Sequence, residues 1–245
     1  MLMLLLAAAL AQEPTTAAEI FERAQEARNI ENSIQTMRMV LVSKSGAERV
    51  REMELRVRRD GEVLSSYTRF SAPSDVAGTQ LVMVDNPEQV DDQLLYLPAL
   101  KRVQRIAGRA RTGAFMGSDF SFEDLEMSSA GDAQHTIVEQ TDEHWVIETV
   151  PADSPLYARI RSTVSKADTV PRKVEYYDKK GQLYKRLTIT ETSRDGDTVV
   201  PTTSIMENVQ KGTSTRLEII EHQLNVPPEQ IPDEVFTAAY MERNG

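Results

Sequence analysis

The sequence contains no cysteine. That excludes disulfides, thiolate metal sites and a lipid-modified cysteine at a mature N-terminus. It says little about redox compartment, because an oxidising space permits disulfides without requiring them. Positive charge is also scarce: 28 Lys and Arg stand against 38 Asp and Glu, a formal net charge of -10. So acidic a chain lacks the positive field that phosphates need, which argues against nucleic acid as a partner. Aromatic residues make up only 6%. Past the first residues, no apolar run is long enough to cross a bilayer. There is no helical zinc motif, nucleophile elbow, Walker A loop or dinucleotide-binding glycine fingerprint. His135, His144 and His222 do not pair at metal-ligand spacing, so no metal or cofactor is expected. Scattered Ser and Asp residues carry no information about a triad. The chain reads as a non-enzyme.

What is present is a globular composition, with 40% hydrophobic and 27% charged residues. A chain of 245 residues allows one large all-β domain or two small ones. One domain over residues 12–245 is expected. Leu2 to Ala11 is an apolar run closed by Ala9-Leu10-Ala11. Its length is too short for a membrane span and its small residues suit cleavage after Ala11, although no Lys or Arg precedes it. Residues 1–11 are therefore read as a secretory signal, which places the protein in the cell envelope.

Thr16 and Glu19 make a capping-box pattern ahead of Ile20, Phe21, Ala24 and Ala27, which share one helical face. That stripe is expected to cover the strands that follow it. From about Gln35 the hydrophobic period becomes two. Met53, Leu55 and Val57 alternate with Glu52, Glu54, Arg56 and Arg58, giving one dry and one wet face. Asp60-Gly61 signals a hairpin, and Lys180-Gly181, Asp195-Gly196 and Lys211-Gly212 separate later strands in the same way. Regular strands joined by hairpins predict an antiparallel meander, hence a sandwich or barrel. Asp233 to Met241 reads as a short closing helix.

Between Leu97 and Gln134 the strand pattern lapses, as it does in lids and binding loops. Lys101, Arg102, Arg105, Arg109 and Arg111 cluster there. They suit an anionic membrane surface or an acidic partner, or equally a solvated strand face. Asp119, Glu123, Asp124 and Glu126 form an acidic knot, read as solvated loop charge in preference to an acid-base or Ca²⁺ site. Phe115, Met116, Phe120, Phe122 and Leu125 bring apolar bulk that must cover apolar surface elsewhere. Such side chains suit a plug in the mouth of a barrel.

The blocks Leu95-Tyr96-Leu97-Pro98-Ala99-Leu100-Lys101-Arg102-Val103-Gln104-Arg105-Ile106 and Phe115-Met116-Gly117-Ser118-Asp119-Phe120-Ser121-Phe122-Glu123-Asp124-Leu125 closely resemble the bacterial outer membrane lipoprotein-sorting protein family. That family is similar to the periplasmic carrier LolA. The resemblance extends to the stretch from Pro171 to Leu183 and to Ile231 to Phe236. It implies a mainly β fold: a strongly curved antiparallel sheet forming an unclosed β-barrel, with an N-terminal helix and lid or plug helices or loops. It implies a periplasmic carrier or chaperone whose concave cavity holds lipoprotein acyl chains or lipid for transfer to the outer membrane. An inner-membrane transporter of RND type or an outer-membrane acceptor is the implied partner, with transient membrane contact. The alternative is an accessory subunit of an RND-type exporter without cargo. Met53, Leu55 and Val57 are the candidate lining. Phe115, Met116, Phe120 and Phe122 are the candidate lid, which cargo would displace.

Overall fold

The structure is a computed structural model and describes residues 16–28, 31–86, 92–126, 133–196 and 198–245. The proposed signal at residues 1–11 lies outside the described residues. Thr16 and Glu19 do close a capping box: the Glu19 carboxylate accepts from the Thr16 amide at 3.1 Å and the Glu19 amide donates to the Thr16 hydroxyl at 3.2 Å. Helix α1 (Ala17–Arg28) follows.

The period-two segments form a sheet of 13 strands. The first group is β1 (Ser33–Val42), β2 (Glu48–Asp60), β3 (Val63–Ala72), β4 (Gln80–Asp85), β5 (Asp92–Leu97) and β6 (Arg102–Arg105). The second is β7 (Gln134–Gln140), β8 (His144–Val150), β9 (Tyr157–Ser165), β10 (Pro171–Asp178), β11 (Leu183–Asp195), β12 (Thr198–Asn208) and β13 (Thr213–Gln223). The order is β6-β5-β4-β3-β2-β1-β13-β12-β11-β10-β9-β8-β7. The chain thus meanders outward from β1 to β6, crosses to the far edge, and meanders back until β13 pairs antiparallel with β1. β6 and β7 are the free edges, so the sheet is not closed into a barrel. Register shifts within β1, β10 and β11 add the local bending that bulges supply.

β6 corrects the expectation of irregular chain after Leu97. Arg102–Arg105 contains a single apolar residue, Val103, so it carries no period of its own. It is a strand because β5 offers it a ladder: Leu94 pairs with Arg105 and Leu97 with Arg102.

Two pieces cover opposite faces. On the outer face, Tyr67, Val82 and Tyr96 pack beneath Val235 and Met241 of the C-terminal segment, which ends in helix α2 (Ala238–Arg243). On the inner face, Ile20 and Ala24 of α1 pack on Trp145, Ile147 and Val164. The stripe of α1 therefore covers β8 and β9, not the strands that follow it in sequence. β1 and β2 have other cover, because residues 108–126 lie against their inner face.

Candidate functional site

The concave face encloses a cavity of about 230 Å³. A single water needs only about 10–15 Å³ of such space, so this one admits a chain-like group. Its lining comes from strands far apart in the sheet. β1 gives Met37 and Met39, β2 gives Met53, Leu55 and Val57, and β4 gives Leu81 and Met83. From the other limb come Leu187 and Ile189 of β11 and Leu217 and Ile219 of β13. That β4 and β11 share one cavity is the measure of the curvature. Four methionines, Met37, Met39, Met53 and Met83, give the wall a soft and adaptable surface. Polar groups enter from Gln35, Ser66, Thr68, Thr202 and Ser204.

One end of the cavity is closed by residues 108–126. Phe115 and Phe120 reach the lining, 2% and 4% exposed. Phe115 lies 5.7 Å from the ring of Phe70 and 5.7 Å, edge-on, from Phe122. Met116 and Phe122 belong to the same core without reaching the cavity lining. The segment holds itself in shape, with the Phe115 amide donating to the Phe120 carbonyl at 2.7 Å and the Phe122 amide to the Gly113 carbonyl at 3.1 Å.

The acidic knot is what fastens it. Asp124 is buried and accepts from Lys185 Nζ at 2.6 Å, from the Ser121 amide at 2.7 Å and from the Ser121 hydroxyl at 2.8 Å. The Tyr157 hydroxyl donates to its other oxygen. Burial and the Asp124 charge push Tyr157 well above the ordinary phenol range, so it stays a donor. Asp119 accepts from the hydroxyls of Thr213 and Thr215. Glu126 is gripped by Arg111, at 2.6 Å from Nη2, and takes a 3.0 Å bond from Gln93. Arg51 of β2 donates to the Met116 carbonyl, and burial lowers its pKa from the usual guanidinium value. Glu123 meets the Ser154 hydroxyl, and desolvation raises its carboxyl above the usual range.

These contacts overturn one expectation: the knot is not solvated loop charge, because its carboxylates are the pegs of the segment. They fasten the candidate lid, with Phe115, Met116, Phe120 and Phe122, to the sheet through the buried Asp124–Lys185 pair. Lys185, Tyr157, Ser66 and Thr68 were not legible as site residues. Lys185 stands 61 residues from Asp124, and a lone lysine in a strand reads as surface.

The basic cluster divides. Lys101, Arg102, Arg105 and Arg109 are exposed, on β6 and the turns flanking it. Arg105 pairs with Asp92 at 2.8 Å. Beside them Leu100 projects, 50% exposed. Arg111 does not join this surface, because Glu126 turns it inward. Among the described residues no three His, Asp or Glu side chains gather as a metal site, and no helix is long and apolar enough to cross a membrane. His135 packs on Phe21, His144 pairs with Glu139 and His222 with Asp195.

The same architecture recurs in solved structures. An outer membrane lipoprotein-sorting protein domain from Vibrio parahaemolyticus is 32% identical, over 93% of this chain and 98% of that one, with a TM-score of 0.82. The chain belongs to the outer membrane lipoprotein-sorting protein family. A family model described as "Uncharacterized protein" matches residues 63–243 of this lipoprotein-sorting family member. Two further structures share the fold. A DUF1329 family protein from Desulfovibrio piger is 23% identical over 92% of this chain and 97% of its own, with a TM-score of 0.82. A LolA superfamily protein from Nitrosomonas europaea is 21% identical over 93% of this chain and 100% of its own, with a TM-score of 0.72. No curated protein matches this member of the sorting family.

Proposed function

We propose that this chain is a periplasmic carrier that holds a hydrophobic cargo, lipoprotein acyl chains or lipid, in its concave cavity for transfer to the outer membrane. The observation that carries the reading is the cavity, an apolar, methionine-lined hollow that the protein's own side chains leave unfilled. Family membership supports it. Each buried methylene contributes about 0.8 kcal/mol, so ten contribute about 8 kcal/mol. Association takes back at least about 4 kcal/mol of that, so the net hold is modest. A carrier needs that balance, since cargo must be held and then surrendered. Met53, Leu55, Val57, Phe115 and Phe120 contact the chain, and Met116 and Phe122 support the lid segment.

Delivery needs a target as well as a hold. Lys101, Arg102, Arg105 and Arg109 form an exposed basic edge on an acidic protein. They steer the loaded carrier to anionic headgroups or to an acidic face of its acceptor.

The test is to purify the chain from a bacterial envelope under mild conditions and analyse what comes with it by mass spectrometry. Acylated molecules at near-stoichiometric yield, passed on to acceptor vesicles, are expected. Protein that emerges empty and stays empty when incubated with envelope lipid would sink the reading.

A further inference from the structure

Along β3 the inward positions are Leu64, Ser66, Thr68 and Phe70. Strand alternation puts apolar side chains on a dry face, yet two hydroxyls stand in the middle of this one. Ser66 is 2% exposed and Thr68 8%, and both line the cavity. Their cross-strand neighbours are apolar. Ser66 sits between Val57 and Met83, and Thr68 between Leu55 and Leu81. The Ser66 hydroxyl has no hydrogen-bond partner among the described residues. Three other polar groups at the cavity are already engaged: Gln35 donates to Ser33, Asp124 is held by Lys185, and Glu126 by Arg111. A buried hydroxyl without a partner destabilises the empty protein and calls for an explanation.

We propose that Ser66 and Thr68 form a polar subsite within the apolar cavity, and that it takes the carbonyl oxygen of an acyl ester or amide. This rests on the carrier reading and deepens it: the cargo enters with its acyl linkage and not as bare hydrocarbon. A hydroxyl is a rotor that turns toward whichever acceptor lies near. A carbonyl accepts and does not donate, so it complements a pair of hydroxyls. Leu55, Val57, Leu81 and Met83 around the pair then receive the methylenes next to the linkage. Two sources present this chemistry, a glycerophospholipid and the acylated N-terminus of a lipoprotein.

The experiment uses the full chain, delipidated, with a fluorescent fatty-acid probe in the cavity. Methyl palmitate and hexadecyl methyl ether compete in parallel; the ether matches the ester but lacks its carbonyl. The wild type should prefer the ester by about tenfold, the worth of one or two net hydrogen bonds. Ser66→Ala with Thr68→Val should abolish the preference, so that the variant binds ester and ether alike. A second readout needs no ligand: Ser66→Ala alone should raise the melting temperature of the empty protein, because it deletes an unpaired hydroxyl. Equal binding of ester and ether by the wild type overturns the subsite and leaves the carrier reading standing. Binding of neither overturns both. A preference that survives the double substitution, or a Ser66→Ala protein that melts lower, also overturns the subsite. Phosphatidylethanolamine and a triacylated lipopeptide are run as separate competitors. The source is the one whose competition weakens in the double variant, and weakening of neither counts against the subsite.

Discussion

Lys185→Met tests whether the buried pair with Asp124 fastens residues 108–126 to the sheet. The Lys185 ammonium lies 2.6 Å from Asp124, with the two side chains 3% and 0% exposed. Methionine keeps the length of the stem and removes the charge. Asp124 would then be a buried carboxylate without its cation, held only by the Ser121 and Tyr157 donors. The expected cost is about 3–5 kcal/mol. For a domain of this size each kcal/mol lowers the melting temperature by about 2–4 °C, so the fall should be ~6–20 °C. Urea unfolding should show a lower midpoint with an unchanged slope. Asp124→Asn keeps one acceptor oxygen for Ser121 and presents its amide N–H to the Tyr157 oxygen, which can accept it, so the pair Asp124→Asn with Lys185→Met removes both charges together. That double variant should be more stable than Lys185→Met alone. A loss below about 1 kcal/mol for Lys185→Met, or simple additivity in the cycle, would refute the claim that this pair fastens the segment.

Reversing Lys101, Arg102, Arg105 and Arg109 to Glu together should leave acyl-probe affinity within about twofold, while association with anionic vesicles at low salt falls by tenfold or more; equal loss of both would tie these residues to cargo. Burial lowers the pKa of His135, which packs on Phe21 of α1. The folded protein therefore binds fewer protons than the unfolded chain as pH falls through about 6.5 and below. Stability should drop on acidification across that window. His135→Phe should flatten the drop, as read by urea midpoints at pH 7.5 and 5.5, and an unchanged pH profile would contradict the assignment.

Much of the sheet was legible because half-buried strands write their period into the sequence. Met53, Leu55 and Val57 showed β2 plainly, and turn pairs such as Asp60-Gly61 fixed where strands reverse. β6 was not legible, since Arg102–Arg105 is a strand only by virtue of its neighbour. The partner of α1 was not legible either. A helix stripe shows that something must be covered, and says nothing of whether it lies next in the chain or, like Trp145, more than a hundred residues away. The site divided in the same way. Phe115 and Phe120 stood out as apolar bulk in a poor strand. Asp124 looked like surface charge because its partner Lys185 meets it only through the curvature of the sheet. Ser66 and Thr68 were silent, because a hydroxyl in a strand is unremarkable until its face and its neighbours are known.

The most direct measurement of the central claim is a titration of the delipidated chain with a fluorescent fatty acid, beside the same titration of Leu55→Trp. Leu55 lines the middle of the cavity on β2. An indole there that excludes about three methylenes removes about 2.4 kcal/mol, or roughly fiftyfold in affinity. Saturable one-site binding by the wild type, weakened to that degree in a variant that folds as well, is the predicted result. Absence of saturable binding, or a Leu55→Trp protein that binds as tightly as the wild type, would contradict it.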